Sequence, residues 1–117
     1  MTKDLGQKFE GTWHIYEMEL WDEDYFNMEV QAYLEIDAKD QGHFQFGLVT
    51  GAIDGEIAGD RLEFTWHGRD ENDETFGRGV VKLKNENMMI GRIKFHQGDG
   101  SKFLAKRADK GKKNIEP

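Results

Sequence analysis

At 117 residues the chain has the size of one ordinary domain and can build a core without covalent staples; it holds no cysteine, which excludes disulfide scaffolds, thiolate metal sites and cysteine nucleophiles. The formal charge of −7 is unevenly placed, because from Lys106 onward five basic side chains stand against two acidic ones and the body carries the remaining −10, a balance that disfavours nucleic acid as a partner. No apolar h-region follows Met1 and no long apolar run occurs, so neither a secretory signal nor a membrane span is expected, and the expected location is cytoplasmic.

Hydrophobic residues make up only 37% of the chain but aromatics 12%, so a few large rings must carry the core. Those rings sit in runs that alternate apolar and polar residues, the mark of strands with one buried face. The first run, over 9–20, changes parity along its length. Trp13 and Ile15 share a phase with Glu17, whereas Met18 and Leu20 lie on the other. Either a bulge near Tyr16 exchanges the faces or Glu17 points inward. The next run, over 28–37, places Met28, Val30, Ala32, Leu34 and Ile36 on one side. Further runs follow over 43–49, 52–58, 61–67, 76–84, 88–96 and 101–107.

Between the runs stand residues that accept tight turns: Lys39-Asp40-Gln41-Gly42, Thr50-Gly51, Gly59-Asp60, Asn85-Glu86-Asn87 and Gly98-Asp99-Gly100. Gly59-Asp60 has the form of a two-residue hairpin, while Gly77, Gly79 and Gly91 read as small residues at a bend. The only proline is Pro117, outside every run. About eight strands with short connections predict an all-β, antiparallel up-and-down barrel over 1–107, closed so that no edge is exposed. Residues 108–117 are expected to form a basic, flexible tail.

Gly11-Thr12-Trp13 in the first run, with a meander after it and Arg107 ending the last, resembles the calycin group of lipocalins, fatty-acid-binding proteins and avidins. The resemblance implies that Trp13 plugs one end of the barrel beneath Arg107, a cation–π contact, and that a pocket opens at the other end. A second lipocalin signature, an Arg-x-Tyr carboxylate pair and the polar biotin-holding set are missing, so no particular ligand follows from it.

The segment Trp21-Asp22-Glu23-Asp24-Tyr25-Phe26 joins the first two strands where a connection would arch over a barrel mouth. Its aromatics either form a lid over a pocket or cap the core. The candidate lining is Phe44, Phe46, Phe64, Trp66 and Phe95, with Trp21 and Tyr25 at the mouth and Glu17 as the inward carboxylate of the alternative above. His14, His43, His67 and His96 each neighbour an inward residue and should face solvent, so no metal and no cofactor are expected. Asp70-Glu71-Asn72-Asp73-Glu74 lacks calcium-loop spacing and reads as a solvated hairpin tip. Ser101, the only serine, has no evident base, and no catalytic fingerprint occurs. Val80, Ile90 and Leu104 fall on the outer face of three neighbouring strands, a candidate interface for a homo-oligomer. The expected function is binding of a small apolar or amphipathic ligand inside the barrel; the alternative is an oligomeric, non-enzymatic interaction module whose barrel is filled by its own rings.

Overall fold

Each alternating run forms a strand and each strand hydrogen-bonds to the next. A computed structural model describes residues 8–108. In chain order it comprises β1 (Gly11–Met18), a single helical turn α1 (Glu23–Phe26), β2 (Tyr33–Ile36), β3 (Gln41–Phe46), β4 (Val49–Ala58), β5 (Arg61–Asp70), β6 (Asp73–Asn85), β7 (Met88–Phe95) and β8 (Gly100–Arg107). Every pairing is antiparallel, and β8 returns to β1, which closes an up-and-down barrel of eight strands. Closure leaves no strand edge for a foreign strand to join. The expected tail from 109 onward lies outside the described residues. Ala108 is still held, its N–H donating to the Thr12 carbonyl at 2.8 Å.

The parity change in β1 is a bulge. The register against β8 slips between Ile15 and Glu17, so Trp13, Ile15 and Met18 are all buried while Tyr16 and Glu17 face out. Glu17 sits opposite Leu104 on the outer surface, and the inward-carboxylate alternative is thereby corrected.

Three boundaries differ from expectation, each for a local reason. The run at 28–37 begins as a strand only at Tyr33, and Met28 and Val30 are exposed at 52% and 45% rather than inward. Polar side chains dictate this. Asp22 caps α1 by accepting from Tyr25 N–H, and the Asn27 side chain accepts from Ala32 N–H at 2.8 Å, folding the intervening residues into a loop. The turn expected at Thr50-Gly51 lies instead at Gly47-Leu48, where Gly47 takes φ +59° and a side chain would strike the Tyr25 ring. The third is the β5–β6 hairpin, which runs on to an Asp70–Asp73 pair, longer at its tip than the alternation suggested, because Glu71 accepts φ +63° in a two-residue turn. The Gly59-Asp60 hairpin is where it was expected.

Glycines decide how the interior is filled. Gly51 lies beneath Phe44 and Trp66, Gly79 beneath Phe64 and Gly91 beneath Phe103; a Cβ at any of them would come within 2.9 Å of a ring atom. Each ring thus occupies volume that a neighbouring strand leaves empty. An interior void of only about 10 Å³ is bounded by aliphatic side chains and by Phe44, Phe46, Phe64 and Phe103. That is no more than one water needs, and its walls offer water no polar partner.

One end is closed by Trp13, which is fully buried and donates its indole N–H to the Phe9 carbonyl at 2.9 Å. The Arg107 guanidinium lies 4.2 Å above the ring and donates to the carbonyls of Lys8, Glu10 and Glu86. The fork ties two chain segments to the end of β8 over one indole.

The β2–β3 turn carries Asp40, whose carboxyl is held above its ordinary value, raised first by burial and then by the charge of Asp37. Its Oδ1 is buried with no hydrogen-bond partner among the described residues, and its backbone takes φ +66°. Since the folded carboxyl binds its proton more tightly than the unfolded one, stability falls as pH rises from the unfolded value through the raised one and stays lower above it. Asp40→Asn removes that loss and keeps a residue tolerant of the left-handed region. Its melting temperature should exceed that of the parent near pH ~7 and converge on it near pH ~3, where both side chains are neutral; thermal unfolding at the two pH values checks this.

Candidate functional site

At the end opposite Trp13, Trp21 and the single turn α1 fold over the barrel. The α1 turn is tied to the β3–β4 turn, with Gly47 N–H donating to the Phe26 carbonyl and Leu48 N–H to the Tyr25 hydroxyl. Trp21 then rests 5.1 Å from Phe46, 6.2 Å from Tyr25 and 6.3 Å from Phe95, ring centre to ring centre. Below it Phe44 stacks on Phe46 at 5.9 Å and meets Trp66 edge-on at 5.1 Å, and Trp66 meets Phe95 at 5.2 Å and 90°. Trp21, Tyr25, Phe44, Phe46, Trp66 and Phe95 are therefore one continuous aromatic cluster. Phe64 lies against Gly79, and Phe26 is buried in the core. These rings touch one another where a pocket would have kept them apart. One polar atom in the cluster is unsatisfied: Trp66 Nε1 is buried and has no acceptor among the described residues.

The large concave space is on the outside. Strands β4 to β7 frame an open hollow of about 780 Å³, with Gly55, Phe64 and Gly79 as its floor. The register explains its walls. One row across the strands reads Asp54, Thr65, Arg78 and Lys94, and the next reads Glu56, Glu63, Val80 and Arg92. Carboxylates thus collect on β4 and β5 and cations on β6 and β7. Arg61 is engaged by Glu63 at 3.3 Å, but among the described residues Arg78 and Arg92 have no carboxylate within ion-pair distance. Lys94 Nζ donates to the carbonyls of Phe95 and Gly98, which leaves its third N–H unused.

The outward charges of β4 (Asp54, Glu56) and of β7 (Arg92, Lys94) are each of one sign, but alternation along a strand does not show that the two sets frame one hollow. The signal was there in the hairpins: the two-residue turn at Gly59-Asp60 sets the β4–β5 register and thus which charges become neighbours.

The remaining candidates take simple places. Ile90 and Leu104 are direct cross-strand partners, and Ile90 is 40% exposed. Val80 is half-buried one row away, beside Arg92 and within the hollow. His43 lies 3.5 Å from Glu35 on the surface, and His96 stacks on exposed Phe76 at 4.6 Å. No group of three or more metal-ligating side chains occurs among the described residues. Ser101 is fully buried, its hydroxyl accepting from Leu20 N–H and donating to the Lys102 carbonyl. None of the described helices is long and apolar enough to cross a membrane. No protein-family model, no curated protein and no solved structure matches the chain.

Proposed function

We propose that this protein is a non-enzymatic interaction module in which the barrel is a filled scaffold and the outer face does the binding. One contrast carries this reading: about 10 Å³ of space inside against about 780 Å³ on the outer surface of β4 to β7. A small-molecule pocket measures roughly 300–1,000 Å³, so the outer hollow has room for one and the void among the rings does not. Self-association belongs to the same reading, with the Ile90–Leu104 pair on β7 and β8 as its apolar contact. The Trp13–Arg107 closure supports grouping the barrel with the calycins, and the buried position of Ser101 supports a role without covalent catalysis.

Mass measurement under native and denaturing conditions tests this. The expected native species is a clean multiple of the 13.6 kDa chain, reduced to a single chain by Ile90→Glu. A mass released on denaturation whose re-addition shifts the amides of Trp21, Phe44 and Phe46 would overturn the filled barrel, and an unchanged multiple in Ile90→Glu would overturn that contact.

A second reading has one observation in its favour. The unsatisfied Trp66 N–H, on a ring that shares Phe95 as a neighbour with Trp21, would be a donor for the polar end of an amphipathic ligand that swings Trp21 aside. Uptake of such a ligand by the parent protein, accompanied by a change in Trp21 fluorescence, would favour it over the filled scaffold.

A further inference from the structure

Arg78 and Lys94 are direct cross-strand partners on the outer face, and Arg92 lies one row away. Like charges in direct opposition on neighbouring strands are unfavourable, and here no carboxylate among the described residues relieves Arg78 or Arg92. Arg92 and Lys94 also lean the same way: a side chain at Gly100 would meet Lys94 Cδ at 3.3 Å and Arg92 Nη2 at 3.5 Å. The bare backbone of Gly100 lets two cations lie side by side. An oxyanion among the three would remove their repulsion, and each guanidinium can present a two-pronged donor to it.

The opposite wall of the hollow has the reverse demand. Asp54, Glu56 and Glu63 project from β4 and β5, with only Arg61 paired among them. A polyanion such as a nucleic acid or an anionic membrane would meet repulsion there, whereas a single positive group would be held. Thr65 and Val80 lie between the two ends and offer one hydroxyl and one apolar surface. From β4 to β7 are three inter-strand gaps, about 14 Å in all. The volume, about 780 Å³, is that of a small-molecule site.

We propose that the hollow binds an extended amphoteric small molecule, its oxyanion held by Arg78, Arg92 and Lys94 and its cationic end by Asp54 and Glu56. This rests on the reading of the outer face as the working surface. It requires the two charges of the ligand to be far enough apart to reach both walls.

Amide NMR spectra of the isotopically labelled protein test it with three probes: inorganic phosphate for the anionic end, and β-alanine and ω-aminooctanoate as short and long rulers. Phosphate should shift the amides of Thr65, Arg78, Arg92 and Gly100, and Arg92→Gln should weaken it about tenfold, as loss of a charge-assisted contact does. The long amino acid should bind about tenfold tighter than the short one because only it spans the strands, and Glu56→Gln should erase that preference while leaving phosphate binding intact. Both substitutions are on exposed side chains, and an unchanged spectrum elsewhere confirms the fold. Equal affinity for the two rulers, or phosphate shifts away from the hollow, would overturn the proposal alone. Probe-induced shifts at Trp21, Phe44 and Phe46 would overturn the outer-face reading as well.

Discussion

Trp13→Ala should lower stability by about 3–5 kcal/mol, the usual cost of removing a buried tryptophan. The ring is fully buried, and truncation also leaves the Phe9 carbonyl without its donor and the Arg107 guanidinium above a cavity. A domain of this size is stable by roughly 5–15 kcal/mol, so the variant should melt on the order of 15–30 °C lower if it folds at all. Urea titration measures the loss, and an unchanged slope would show that the folded state is otherwise the same. Arg107→Lys separates the plug from its clasp. The charge over the ring is kept, but one ammonium cannot reach three carbonyls spread over two segments. A loss of about 2 kcal/mol is expected. If Trp13→Ala cost under about 1 kcal/mol, the residue would not be closing the barrel in the sense of a packed core position.

The features of this fold that could be read from the chain are those set by one strand at a time. Period-2 alternation revealed the strands, and the odd phase of Glu17 marked β1 as irregular without deciding between a bulge and an inward carboxylate; the slip against β8 decides it, because a side-chain period of two leaves no other way to bury both Ile15 and Met18. What stayed hidden depends on pairs of strands or on single turns. The α1 turn spans four residues, too few for any helical period, and is held by Asp22 and Asn27 rather than by an apolar face. Gly51 reads as a turn residue until its partners Phe44 and Gly68 are known. The structure gathers Trp21, Tyr25, Phe44, Phe46, Trp66 and Phe95 into one cluster, yet alternation cannot say whether inward rings surround a space or fill it. Glycines across from those rings settle that, and they become visible only with the register. The charged hollow is hidden for the same reason.

Gly91→Ala should be nearly as damaging as loss of Trp13, although it adds only one methyl group. The new Cβ would lie 2.2 Å from the Phe103 ring, with three ring atoms inside 2.9 Å. Phe103 is buried and pairs with Gly91 across β7 and β8, so the ring must move into the interior or the strands must part. The void beside Phe103 has only about 10 Å³ to give. Overpacking of this kind costs about 1–3 kcal/mol or more, and the absence of slack places this case at or above the upper end. Gly59→Ala is the counter-case. Nothing lies within 4 Å of its added Cβ, and only the left-handed backbone at φ +68° opposes it, a cost of roughly 1–2 kcal/mol. The decisive comparison is Gly91→Ala combined with Phe103→Leu. If ring-on-glycine contact is the cause, the double variant should be more stable than the sum of its parts by about 0.5–3 kcal/mol, read from chemical unfolding. Strict additivity would mean that the methyl group acts through the backbone of β7 instead, and that the filled interior tolerates more adjustment than its void volume implies.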